Sequence, residues 1–400
     1  MGAVSLKLLL TAIFFSFVTE ITAVPQPVDT YSNDVLRKSS NLKIQKTTLT
    51  RKGTTIDWIP RTSQGKIAAA PPIPQEFLDV ATLRTSSNVT APVSELELPG
   101  TQLGPAGSVP VPRVDAELAS LRARSKAPPP APTTDKDNNK IPTKDSSKRQ
   151  FAGTRWYVFS YLYTTALGCS SYFSMFKPYV QQYGDFSLIQ NALTRTGQTL
   201  EAGWQYYPWA AGVDIRFFTF YTVDNYIQGD YKGGYNSDVL GWIQVDDLYF
   251  PGVTFQFKST IDGPQYELFI HWELYEGNWW LFVQSRWIGY YPASLFSNGR
   301  PNVPAADTLA HHAELVYFYG EIYQTENEWT TTDMGSGMLA EAGHGRAAYI
   351  RAMKWADAAK QWVDYQPGVW RNDDAQRYNH AIQGSYVFLG GPGAGGVVGG

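Results

Sequence analysis

Two carboxylates stand out in runs that are otherwise apolar or aromatic. Glu201 lies in Thr199-Leu200-Glu201-Ala202-Gly203-Trp204-Gln205, and Glu321 in Leu315-Val316-Tyr317-Phe318-Tyr319-Gly320-Glu321-Ile322-Tyr323. If both runs are strands and the strands are neighbours, the two side chains can meet on one face. A carboxylate pair is a minimal acid–base device for splitting a bond with water. The plainer alternative is two surface glutamates on solvent-facing strand positions. Alternation along a strand separates the faces. Glu321 shares parity with Tyr317, Tyr319 and Tyr323, and Glu201 with Thr199, Gly203, Gln205 and Tyr207. Each glutamate is thus expected on a mixed polar and aromatic face, as in a substrate groove.

The elements that must position them read as strands. Period-two, β-branched or aromatic runs cover Trp156–Tyr163, Leu200–Tyr207, Val213–Thr222, Gly241–Val245, Tyr266–Leu274, Asn278–Tyr290, Ala313–Tyr323 and Ala347–Trp355. Clusters such as Gly233-Gly234, Pro251-Gly252 and Asp262-Gly263-Pro264 separate them. Helical periodicity is weak, with Asp357–Val363 the one candidate for a turn or two. The expected fold is all-β, an antiparallel β-sandwich of two stacked, curved, jelly-roll-like sheets, preceded by a largely disordered pro-segment.

The division of the chain follows from composition. Residues 1–23 read as a signal peptide, with Lys7, an apolar run from Leu8 to Val18 and a small-residue cleavage site at Ile21-Thr22-Ala23. No later run is long enough to span a membrane, and the product is expected to be secreted and extracellular. Residues 24–149 are rich in Pro, Ser, Thr and Lys, and Trp58 is their only tryptophan among 13 in the chain. They read as a pro-segment and Pro-rich linker, carrying a glycosylation sequon at Asn88 and ending in the dibasic processing pair Lys148-Arg149. Residues 150–389 form the expected sandwich, and 390–400 a Gly-rich tail without fixed structure. Cys169 is the only cysteine, so no intrachain disulfide can form; a small buried hydrophobe is its expected role.

Charge supports this division. Residues 1–149 carry 19 Lys+Arg and 13 Asp+Glu, a net of +6, whereas 150–400 carry 14 and 23, a net of −9. A basic pro-segment can dock on an acidic domain and let go as carboxylates protonate. The acidity argues against nucleic acid as a partner.

Other chemistries find little support. There is no Gly-x-Ser-x-Gly elbow, no phosphate loop and no dinucleotide fingerprint. Of five histidines only His311-His312 cluster, and strand neighbours point oppositely, so no metal and no cofactor is expected. Glu267 and Glu273 are rival carboxylates whose parity allows a solvent-facing role. Glu314, seven residues from Glu321, is a further rival.

An ordered series of motifs then resembles the neprosin family over roughly residues 155–355. Leu200-Glu201-Ala202-Gly203-Trp204-Gln205-Tyr206-Tyr207-Pro208 is similar to its "EAGWQVYP" block. Arg216 to Asp224 is similar to "RLFTYWTxD", and Gly234-Tyr235-Asn236 to "CYN". Asn278-Trp279-Trp280-Leu281 matches "NWWL", and Ile288 to Phe296 matches "VGYWPxxLF". Tyr319-Gly320-Glu321-Ile322 is similar to "GGEV", and Thr331 to Gly337 to "TTTQMGSG". The resemblance implies a secreted β-sandwich glutamic peptidase, made as a zymogen, that cuts beside proline at acid pH. It implies Glu201 and Glu321 as the catalytic pair. The family's cysteine pair near "CYN" reads here as Gly234 and Val239.

In the mechanism this implies, one ionised glutamate takes a proton from water while the other, protonated, polarises the scissile carbonyl. Gln205, Tyr317 or Tyr319 are candidate oxyanion donors, and Trp204 and Trp242 candidate walls for a proline ring. The expected partners are proline-rich peptides or proteins and the chain's own pro-segment as inhibitor, acting on a monomer. Two other classes use similar features: a two-carboxylate glycoside hydrolase, and a non-catalytic module binding cell-wall or carbohydrate ligands.

Overall fold

In a computed structural model of the chain, residues 43–50, 52–75, 77–78, 103–114, 126–129, 153–208, 214–366 and 369–399 are described. The expected signal peptide, Asn88 and the Lys148-Arg149 pair lie outside them. Strands dominate the described residues, and they pair antiparallel. A small N-terminal sheet holds β1 (Lys46–Leu49), β2 (Thr55–Pro60) and β3 (Ser108–Pro112).

The front sheet contains β4 (Arg155–Ala166), β6 (Phe186–Arg195), β7 (Gln198–Tyr206), β8 (Arg216–Thr222), β9 (Gly233–Tyr235), β14 (Ala313–Tyr323) and β17 (Arg371–Asn372). Its order is β17-β4-β14-β6-β7-β8-β9. The rear sheet contains β5 (Gly168–Ser174), β10 (Ile243–Gln244), β11 (Glu267–Tyr275), β12 (Asn278–Val283), β13 (Arg286–Pro292), β15 (Ala348–Ala356), β18 (Asn379–Gln383) and β19 (Tyr386–Gly390). Its order is β10-β13-β12-β11-β5-β15-β19-β18, with β16 (Trp362–Asp364) also pairing with β15.

Alternation explains how the sheets stack. Ile189, Leu200, Trp204, Phe217, Val316 and Phe318 of the front sheet share one buried cluster with Phe173, Leu268, Trp272, Leu281 and Ile350 of the rear sheet. Their alternates face outward and form separate aromatic clusters, one on each outer face. Cys169 is buried in the shared core.

Some local expectations change. Asn278–Tyr290 is two strands, because the chain reverses at Gln284, whose φ is 60°. Residues 357–361 form a turn in which the Asp357 carboxylate accepts the N–H groups of Ala359 and Gln361, and no helix forms. The strands β5, β6, β18 and β19 were not anticipated. The tail is not free: Gly391 forms a bridge with Met334, and the Gly399 N–H donates to Asp333 over 3.1 Å.

Residues read as lacking a packed domain do contain the small β1–β3 sheet. It is too small to bury a core alone, and Ile56 and Trp58 join the main core. Lys52 pairs with Asp214, and Arg216 donates to Thr54. The loop that lacks the family's cysteine pair is held by packing and hydrogen bonds. Gly234 has no side chain because a Cβ there would meet Val239 at 2.5 Å. Asn236 accepts the Thr219 N–H, and Asp230 accepts the Leu240 N–H.

Candidate active site

Glu201 and Glu321 both lie on the outer face of the front sheet and both are 0 % exposed. Their strands are not neighbours, however. β6 runs between them, pairing with β14 on one side and β7 on the other. Glu201 aligns with Ala192 and Tyr317, while Glu321 aligns with Leu188 and Gln205. The row between them is Tyr319, Gln190 and Gly203. Gly203 is required there, since a Cβ would meet the Ile189 carbonyl oxygen at 2.1 Å and Gln190 Cβ at 2.7 Å.

Four groups converge on Glu201. Its Oε1 accepts from the Tyr226 hydroxyl at 2.6 Å. Its Oε2 accepts from Gln190 Nε2 at 2.7 Å and the Tyr319 hydroxyl at 3.4 Å. The fourth is Lys126 of the N-terminal segment, whose Nζ lies 2.5 Å from Glu201 Oε2 and 3.9 Å from Glu321 Oε2. Lys126 also donates to Gln190 Oε1 over 3.1 Å, and its side chain is fully buried. The Phe218 and Phe220 rings stand 5.4 and 5.9 Å from its ammonium. Burial works against that charge, but Glu201, Tyr235 and Glu321 outweigh it and raise the Lys126 pKa.

Glu321 is held more loosely. Its Oε1 faces Arg155 Nε at 3.3 Å and the Tyr157 hydroxyl at 3.4 Å, and its Oε2 has no hydrogen-bond donor. Burial pushes its carboxyl up to about 7, with Lys126 and Arg155 opposing and Glu201 adding to the rise. The Tyr157, Tyr226 and Tyr319 phenols are all raised by burial, so they stay neutral donors.

The proposed contact residues divide. Tyr317, Tyr319 and Gln205 share the carboxylate face; Gln205 Nε2 donates to the Tyr235 hydroxyl over 3.4 Å. Trp204 and Trp242 do not reach that face, which corrects their assignment as walls for a proline ring. Trp204 has core parity, is 0 % exposed, and donates its indole N–H to the Ser174 carbonyl. Trp242 packs on Tyr291 and donates to Gln244. Tyr157, Phe159, Phe218, Phe220 and Tyr235 line the carboxylate face instead. Glu314 is about half exposed and paired with Arg195, far from the pair. Glu267 is buried on the rear sheet, not solvent-facing.

Sequence reading missed Lys126, Gln190, Tyr226, Arg155 and Tyr157. Tyr226 carries a hint of constraint, because a non-glycine residue at φ 64° is held there by its surroundings. Its N–H donates to Thr222 Oγ1, which fixes the turn that aims the ring at Glu201. Among the described residues, no three His, Cys, Asp or Glu side chains come together as a metal site. No described helix is long and apolar enough to cross a membrane.

Fold and site together define a β-sandwich with two buried glutamates converging on one point of an aromatic face. The sequence over residues 183–392 matches the neprosin family, and the chain belongs to that family. It is accordingly a peptidase. Two solved structures resemble it at low levels. One is scytalido-glutamic peptidase with a transition state analog inhibitor, at 8 % identity and a TM-score of 0.31. The other is SCP-B, a member of the eqolisin family of peptidases, with the tripeptide Ala-Ile-His, at 7 % identity and a TM-score of 0.29. Each match covers 59 % of this chain and 98 % of the other. Likeness that low fixes neither fold nor chemistry.

Proposed function

We propose that this protein is a secreted, acid-active glutamic endopeptidase that hydrolyses bonds next to proline and is held latent by its own N-terminal segment. The observation that carries the reading is the Lys126 ammonium seated between Glu201 and Glu321. Both carboxylates face one point, and a cation delivered from the N-terminal segment fills it.

With Lys126 withdrawn, a water molecule takes its place. Glu201, surrounded by Gln190, Tyr226 and Tyr319 as donors, is the ionised partner and removes the water proton. Glu321, whose carboxyl is raised by burial and would be freed of the lowering effect of Lys126, is protonated in acid; it polarises the scissile carbonyl and then gives its proton to the leaving amine. Gln190 lies between the two and is a better placed oxyanion donor than Gln205. Phe218, Phe220, Tyr157 and Tyr235 offer flat faces to a proline ring. The chain leading from Lys126 continues Ala127-Pro128-Pro129, so a proline-rich stretch already begins at the site.

Acid would weaken this latch on its Glu321 side. The Glu321 charge that attracts Lys126 is present above about pH 7 and is lost as pH falls through that value. The test is cleavage of a proline-containing peptide by the full chain after acidification, across pH 3–8, beside Glu201→Gln and Glu321→Gln. Acid-optimal cleavage abolished in both variants supports the reading. Cleavage that survives either substitution removes that glutamate from the mechanism.

A further inference from the structure

The outer face of the rear sheet, on the opposite side of the sandwich from the glutamates, is covered by residues 64–75 and 77–78. The Gln64 side-chain amide donates to the Gln244 carbonyl at 2.8 Å and accepts the Gln244 N–H at 2.9 Å, which anchors the segment on the edge strand β10. Residues 67–74 then run without helix or strand. Pro71 and Pro74 are buried while Pro72 and Ile73 are exposed. That three-residue period is the repeat of a polyproline II helix.

Aromatic side chains of the rear sheet hold this run by its backbone. The Ala68 N–H donates to the Tyr290 hydroxyl over 3.1 Å, and the Trp287 indole N–H donates to the Pro72 carbonyl over 3.2 Å. After a turn in which the Pro74 carbonyl accepts the Phe77 N–H, Phe77 enters a pocket of Phe269 and Phe282, with ring centroids 5.8 and 5.3 Å away. Tyr172 and Trp287 complete that cluster. Indole and phenol groups bonding an extended proline-rich backbone, with a separate pocket for one anchor, form a general means of recognising polyproline II peptides.

We propose that this rear face is a binding site for proline-rich peptides carrying an aromatic residue three positions after a proline. The chain's own Pro71-Pro72-Ile73-Pro74, with Phe77 as anchor, is the occupant in the latent protein. Once that segment is displaced, the groove engages the same chemistry in another molecule. The physiological role rests on the proposed substrate class: the groove would tether a proline-rich substrate while another of its segments is cut at the glutamate pair.

The test needs no cleavage. A fluorescent peptide of residues 66–78 is titrated into the full chain carrying Glu321→Gln, with the groove closed or opened by Pro71→Ala, Pro74→Ala and Phe77→Ala together. Binding to the opened chain at least about tenfold tighter than to the closed one is expected, and adding Trp287→Ala should weaken it by a similar factor. A peptide with its own phenylalanine replaced by alanine should bind worse. No binding to an opened chain that keeps its melting transition overturns the proposal, as does binding that ignores Trp287→Ala. If the triple variant does not fold, Phe77→Ala alone is read by the same two criteria. Failure of the peptidase reading would leave these outcomes unchanged, because only binding is measured.

Discussion

Glu267 on the rear sheet and Glu321 on the front sheet are both buried beside an arginine and a tyrosine, yet they are held very differently. Glu267 meets Arg351 through two bonds of 2.5 Å and accepts the Tyr349 hydroxyl at 2.7 Å. Glu321 has its arginine at 3.3 Å, its tyrosine at 3.4 Å and one oxygen without a donor. A bidentate pair satisfies both oxygens of a carboxylate with charge-assisted bonds. A loosely held one in a dry setting is free to exchange a proton. Burial alone therefore does not distinguish Glu267 from Glu321; the difference lies in how fully their oxygens are satisfied.

The contrast can be broken by matched substitutions. Glu321→Gln should lower peptidase activity about a thousandfold or more with little change in the melting temperature, read by steady-state kinetics and thermal melting. Glu267→Gln should do the reverse. It leaves Arg351 buried without its charge partner, at a cost of about 3–5 kcal/mol, while activity per folded molecule stays near that of the parent. If both variants lose activity and keep stability, the distinction fails.

Smaller effects sharpen it. Lys126→Met in the full chain should release activity by about tenfold near pH 7–8, where the proposed latch on the parent would still be closed, because the apolar chain cannot pair with either carboxylate. Tyr226→Phe should reduce activity by about threefold to tenfold through loss of one hydrogen bond to Glu201, with KM little changed. Arg155→Gln should move the alkaline limb of the pH profile upward by about one unit. Arg155 favours the charged form of Glu321, so without it the carboxyl keeps its proton to higher pH. A limb that moves downward would assign it to another group.

The sandwich was legible because most of its strands alternate. Ala313–Tyr323 appears with the expected bounds, and parity put Glu201 and Glu321 on the same outer face. What alternation could not show was β6. Its sequence, Phe-Ser-Leu-Ile-Gln-Asn-Ala-Leu-Thr-Arg, places polar Gln190 and Asn191 at its centre although both its faces are buried. β5 escaped for a related reason, since its buried serines carry no apolar rhythm. Missing β6 made the glutamates' strands look adjacent and hid Gln190. Lys126 left still less local trace, as one basic residue before a run of prolines. Only the opposite charges of the two parts of the chain pointed toward such a contact.

The intervening strand has a mechanical consequence. The two glutamates hang from strands two steps apart in one hydrogen-bonded ladder and lie four residues apart along it, so their backbones are separated by roughly 16 Å, from twice the ~4.8 Å strand repeat across and about 13 Å along. The gauge that leaves room for a reacting group between them is cut into the backbone, and no loop has to close to set it. Heating that merely loosens side chains leaves this gauge unchanged. It is lost when β6 peels from its neighbours, so inactivation and melting of the front sheet should be the same event.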